Sequence, residues 1–164
     1  MASDAGSLPR YAGVDGLLAA ARAAVERLTP DEAAAALAEG ALMVDIRPAW
    51  QRAEEGEVPG ALIVERNHLE WRLDPTSSSR LPAAVAGQRW VVICSQGYTS
   101  SLAAAALLSI GVPACDVIGG IEQWQAAGLP MTPGPTRPER VVGSGPLPDL
   151  GDLGGPHVED VAPD

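Results

Sequence analysis

Four short apolar runs, Ala41–Ile46, Ala61–Val64, Trp90–Ile93 and Cys115–Ile118, constrain this chain most, because each is too brief for a helix and lies between stretches with helical signals. Val14, Leu17, Leu18, Ala21 and Val25 fall on one face at 3.6-residue spacing and predict a first helix of about three turns. Thr29-Pro30-Asp31-Glu32 supplies an N-cap, a proline at the first helical position and an acid three residues on, so a second helix runs from there through Ala33–Glu39 to Gly40. Further helices are expected from about Ser100 to Ile110 and from Ile121 to Ala127, the latter closed by Gly128. Strands buried on both faces and alternating with helices predict an α/β fold, with a parallel sheet of about five strands and helices on both sides.

The 164 residues suffice for one domain and leave little room for a second. The segment 132–164 carries 7 Pro and 6 Gly with 2 Arg against 6 acids, and it reads as a disordered acidic tail that serves as a solvated segment or, less simply, as a docking segment. Residues 1–12 read as a loose N-terminus, which leaves 13–131 as the domain. A net charge of −10 repels phosphate backbones and anionic lipid, arguing against nucleic-acid and membrane partners. The beginning of the chain lacks a basic, uninterrupted apolar leader, and Leu102–Ala114 is interrupted by Ser109, Gly111 and Pro113. No membrane span is expected, and the cytoplasm is the expected compartment. Cys94 and Cys115 read as separate thiols, and His68 and His157 do not stand at ligand spacing from either, so no metal is assigned.

Cys94 follows an apolar strand and precedes a helix, which in an open parallel sheet places it where ligands gather outside the strand ends. Cys94-Ser95-Gln96-Gly97-Tyr98-Thr99-Ser100 can wrap backbone amides around a sulfur, with Gly97 allowing positive φ and Thr99 or Ser100 capping the helix. Such a position draws a thiol toward its reactive thiolate, although a buried core thiol fits the pattern equally well. Cys115, within a strand, reads as core packing. Trp50, Trp71, Trp90 and Trp124 are expected to pack the core, and Tyr98 either meets a donor or partner or points to solvent.

Four motifs in order resemble the rhodanese-type sulfurtransferase family. Met43-Val44-Asp45-Ile46-Arg47 resembles its early strand ending in Asp-x-Arg, and Val58-Pro59-Gly60-Ala61 resembles its Ile-Pro-Gly-Ala turn. Cys94–Ser100 resembles its six-residue active-site loop, and Gly119-Gly120-Ile121-Glu122-Gln123-Trp124, followed by Ala127-Gly128-Leu129-Pro130, resembles its closing motif. The resemblance spans about Thr29 to Met131. It implies a rhodanese-like three-layer fold and a Cys94 thiolate that takes sulfur from thiosulfate or a persulfide, protein persulfides included, and passes it to a thiol or cyanide-like acceptor. No cofactor is implied. The amides of Ser95, Gln96, Gly97, Tyr98, Thr99 and Ser100 would hold the anionic donor.

The chain departs from the family where many members carry basic loop residues, since Ser95, Gln96 and Thr99 bring no charge. Losing a charge-assisted contact costs one or two powers of ten in affinity, on the order of the difference between charged and neutral hydrogen bonds, so weak thiosulfate binding is expected. Glu57 replaces a common histidine and reads as a surface position. Asp45 and Arg47 read primarily as a structural ion pair. The related phosphatases of the cell-cycle type use a longer Cys-x5-Arg loop, whereas the sixth residue after Cys94 is Ser100, which argues against phosphate-ester chemistry. The competing reading from another class is a weakly catalytic or non-catalytic binding module.

Overall fold

A computed structural model of the chain describes residues 6–144. Along these residues run α1 (Gly13–Ala24), β1 (Glu26–Leu28), α2 (Pro30–Ala38), β2 (Leu42–Asp45), α3 (Ala49–Glu55), β3 (Leu62–Ile63), α4 (Leu69–Leu73), β4 (Trp90–Ile93), α5 (Thr99–Ser109), β5 (Ala114–Val117) and α6 (Gly120–Ala126), with a 3-10 turn at Arg66–His68. The five strands are all parallel, in the order β1-β5-β4-β2-β3. The chain leaves β2 toward β3 and leaves β4 toward β5, in opposite directions. The switch point therefore lies between the C-terminal ends of β2 and β4.

Side-chain alternation divides the core into two layers. Val92 and Cys94 face one side with Val44, Ile46, Trp90 and Leu107, beneath α1, α4 and α5. Val91 and Ile93 face the other with Leu28, Met43, Val117 and Trp124, beneath α2 and α6. Every residue of β4 is buried, as a central strand requires. The start of α2 is fixed by a reciprocal capping box: the Glu32 amide donates to Thr29 Oγ1 and the Thr29 amide to Glu32 Oε2. Such a cap contributes about 1 kcal/mol.

The α/β architecture agrees with the sequence expectation, and the structure adds three elements to it. The strand β1 has three residues, two of them charged, and reads as a linker between helices until Cys115–Val117 pairs with it. The helix α4 has five residues, held by buried Leu69 and Leu73 on one face. The third addition is α3. On α1 the apolar stripe turns inward only near its end, where Ala21 and Val25 are buried while Val14 and Leu17 are exposed.

Three expectations are corrected. Trp90 and Trp124 are buried, but Trp50 and Trp71 face solvent, so only two of the four tryptophans pack the core. Glu57 is fully buried rather than superficial: its carboxylate pairs with Arg52 Nη1 at 2.5 Å and accepts the Thr136 amide and hydroxyl. The segment expected to be a disordered tail is folded over 132–144. Glu57 and Thr132 exchange backbone hydrogen bonds at 2.8 Å, Val141 forms an antiparallel bridge with Leu62, and Val142 is buried. Composition misreads this strap because it needs no core of its own; it borrows the open edge of β3. The rest of that stretch, 145–164, lies outside the described residues.

Candidate active site

Cys94 directly follows β4 and is almost fully buried, 4% exposed. Gly97 turns the loop back at φ +80°, and its amide donates to Cys94 Sγ at 3.2 Å. The loop is pinned to the start of α6 by the Ile121 amide on the Cys94 carbonyl at 2.9 Å and the Glu122 amide on the Ser95 carbonyl at 3.1 Å. This approach explains the paired glycines. A Cβ at Gly120 would lie 2.2 Å from the Cys94 carbonyl oxygen, and one at Gly97 would lie 2.8 Å from the Gly119 nitrogen. Behind the loop begins α5, whose Ser101 amide donates to the Tyr98 carbonyl at 3.1 Å; a helix start of this kind leaves amides free to meet an anion.

The loop side chains are largely committed to neighbours. Ser95 Oγ lies 2.8 Å from Glu55 Oε2 and 3.1 Å from Gln51 Oε1, and Gln96 Nε2 donates to Glu122 Oε1 at 2.8 Å. Tyr98 is exposed, with the Arg22 guanidinium 5.3 Å from its ring centroid. Thr99 is exposed. The expected side-chain cap is absent: Tyr98 occupies the N-cap position without a side-chain bond to the helix. Ser100 Oγ instead donates to Asp116 Oδ2 at 2.9 Å and is buried, leaving its backbone amide as its means of reaching a ligand.

Around the loop stand two groups of charged side chains, one that the sequence motifs do not announce and one built on the Asp-x-Arg motif. Asp116 is fully buried and accepts from Arg27 Nε and Nη2, Ser100 and Ser101. Arg47 pairs with Asp45 at 2.6 Å and with Glu55 at 2.8 Å, which links the Asp-x-Arg motif to Ser95 through Glu55. Burial works against the Arg47 charge, but the hydrogen bonds and charges of Asp45 and Glu55 outweigh it and raise the pKa above the ordinary arginine value. An open cleft of about 410 Å³ lies at the same rim, lined by Ile46, Pro48, Glu65, Arg66 and Asn67. Ile46 directly follows Asp45, the register partner of Ile93, so this cleft adjoins the start of the cysteine loop.

Cys115 belongs to different surroundings. It is buried in the opposite core layer, pairs in register with Val91 rather than Cys94, and its Sγ lies 3.5 Å from the Trp90 carbonyl. Burial, partly countered by Arg89, pushes its thiol up to about 11. Among the described residues no cluster of three His, Cys, Asp or Glu side chains could hold a metal, and no helix is long and apolar enough to cross a membrane.

A parallel α/β domain with a cysteine cradled in the strand-to-helix loop at its switch point defines a class of thiol-centred proteins. Residues 29–127 match the model of the rhodanese-like domain, more than half of the chain, and the protein belongs to that family. Among solved structures it is similar to a protein of unknown function from Rhodopseudomonas palustris, named a possible tyrosine phosphatase, at 30% identity and TM-score 0.68 over 77% of this chain and 100% of that one. It is also similar to a thiosulfate sulfurtransferase from Pseudomonas aeruginosa at 29% identity and TM-score 0.55. That match covers 67% of this chain but only 20% of the longer protein. A rhodanese-like domain protein from Staphylococcus aureus, 23% identical over 66% of this chain and 99% of its own with TM-score 0.51, shares the fold. No curated protein matches the chain.

Proposed function

We propose that this protein is a sulfurtransferase that carries a sulfane sulfur on Cys94. The observation that supports the reading most is the hydrogen bond from the Gly97 amide to Cys94 Sγ at the mouth of α5. Such a loop stabilises a thiolate and, one atom further out, a persulfide anion. In the first step the Cys94 thiolate attacks the outer sulfur of the donor. A Cys94 S–S bond forms while the donor's own bond to that sulfur breaks, and sulfite leaves from thiosulfate, or a thiolate from a persulfide. In the second step an acceptor thiolate or cyanide attacks the terminal sulfur, and the Cys94 thiolate leaves with the electron pair.

The backbone amides from Ser95 to Ser100 hold the donor's negative charge. No loop side chain is a cation, so a small or protein-borne persulfide is the better donor and thiosulfate the poorer one, by roughly ten- to a hundredfold. A reducing compartment such as the cytoplasm keeps Cys94 available as a thiol. The name of the Rhodopseudomonas relative raises phosphatase chemistry, but here the sixth position after Cys94 holds Ser100, with its hydroxyl on Asp116, and no guanidinium within the loop to clasp a phosphate.

The test follows thiocyanate released from cyanide with each sulfur donor, alongside hydrolysis of p-nitrophenyl phosphate. Thiocyanate production without phosphate release supports sulfur transfer. Phosphate release alone would establish the phosphatase reading, and neither product would establish a binding module.

A further inference from the structure

The cysteine loop carries no charged side chain, yet two guanidinium groups stand behind it. Arg22 Nη2, from α1, donates to the Gly97 carbonyl at 2.8 Å, and Arg27 Nη2, from β1, donates to the same oxygen at 3.0 Å. Both side chains are held in place. Arg22 Nε reaches Ser101 Oγ at 3.2 Å and its guanidinium lies against Tyr98, while Arg27 grips Asp116 with two nitrogens at 3.0 and 3.2 Å. Both arginines precede residue 29, where the family match begins.

We propose that Arg22 and Arg27 are positioning residues through which the segment before the family domain supplies the loop's missing positive charge, fixing the Gly97 carbonyl outward so that the loop amides face the Cys94 sulfur. The inference deepens the sulfurtransferase reading and rests on it for its functional meaning. A trans peptide points its carbonyl and N–H in opposite directions. Anchoring the Gly97 carbonyl on two cations therefore turns the Tyr98 amide toward the loop interior, the side on which the Gly97 amide already meets the sulfur.

The surrounding charges leave Arg22 as the uncompensated one. Arg27 is matched by Asp116, and Arg47 by Asp45 and Glu55. Glu55 meets the loop through Ser95, and Glu122 meets it through Gln96 on the exposed side. Among the described residues Arg22 has no carboxylate partner. Its charge reaches the loop through the Gly97 carbonyl, in partly buried surroundings where screening is reduced.

The test is the rate of Cys94 alkylation by iodoacetamide at neutral pH, in the full chain. Arg22→Met should react about tenfold more slowly. Arg22→Lys, which keeps the charge and one donor, should recover most of the loss. Arg89→Met removes a cation paired with Glu26 at the far end of β4 and should match the parent. Arg27→Met should slow the reaction in the same way; because it leaves Asp116 unpaired, its fold is checked by circular dichroism. An Arg22→Met rate equal to the parent's, or one that Arg22→Lys fails to recover, would overturn the proposal. A parent protein that alkylates as expected but accepts no sulfur would instead overturn the sulfurtransferase reading.

Discussion

Gly97 donates its amide to Cys94 Sγ at 3.2 Å while its own α-carbon sits against the Gly119-Gly120 turn, so one residue serves both the sulfur and the packing of its loop. Gly97→Ala is expected to disturb both. Its Cβ would stand 2.8 Å from the Gly119 nitrogen and 3.0 Å from the Val117 carbonyl, at a φ of +80° that costs a residue with a Cβ about 1–2 kcal/mol. Thermal denaturation should show that loss, and sulfur loading should slow at least tenfold, about the effect of one lost hydrogen bond to an anion.

The buried Arg52–Glu57 pair makes acid stability a property of the strap. Burial opposes ionisation of Glu57, but hydrogen bonds from Thr136 and Arg52, together with the Arg52 charge, outweigh it and hold the carboxyl below the ordinary glutamate value. A depressed folded pKa stabilises the protein above the unfolded value, ~4.3. That contribution is lost as pH falls through the lower folded value. Glu57→Gln should flatten this part of the urea-denaturation pH profile. At neutral pH, leaving Arg52 buried and unpaired should cost roughly 3–5 kcal/mol.

Removal of residues 132–164 should destabilise the domain even though the segment is rich in Pro and Gly. It strips the partner strand from β3, uncovers Glu57 and removes Val142 from the core. The single change Val142→Ala should lower stability by roughly 1–3 kcal/mol. Chemical denaturation of the two variants beside the parent checks both expectations.

Cys115 should behave as a core residue throughout. With its thiol raised to about 11 by burial, it should resist alkylation under native conditions at mildly alkaline pH and react only after unfolding. Because the folded state holds this proton more tightly, unfolding becomes easier as pH rises from the free-thiol value, ~8.5, toward 11. Cys115→Ser should load sulfur normally, and loss of loading would make it a second sulfur-handling thiol.

The sheet and the loop were legible because their signals are local. Trp90–Ile93 is apolar at every position, Gly40 and Gly128 mark helix ends, and Thr29 with Glu32 forms its cap within four residues. What escaped was built from distant pairs. Nothing near Arg22 or Arg27 indicates that both will meet Gly97, more than 69 positions away, and Glu57 looks superficial until Thr136 folds over it. Trp50 looked like core because of its residue type, whereas its place on α3 faces solvent. Ser100 was legible as a residue of the loop, yet its hydroxyl's commitment to Asp116 depends on β5 lying alongside β4.

The most direct test of sulfur transfer through Cys94 is intact mass, followed by peptide mapping, after incubation with thiosulfate and separately with a low-molecular-weight persulfide. The account predicts the gain of one sulfur atom on Cys94, more from the persulfide than from thiosulfate, removed by cyanide and absent from Cys94→Ser. No mass gain with either donor, or an equal gain in Cys94→Ser, would contradict it.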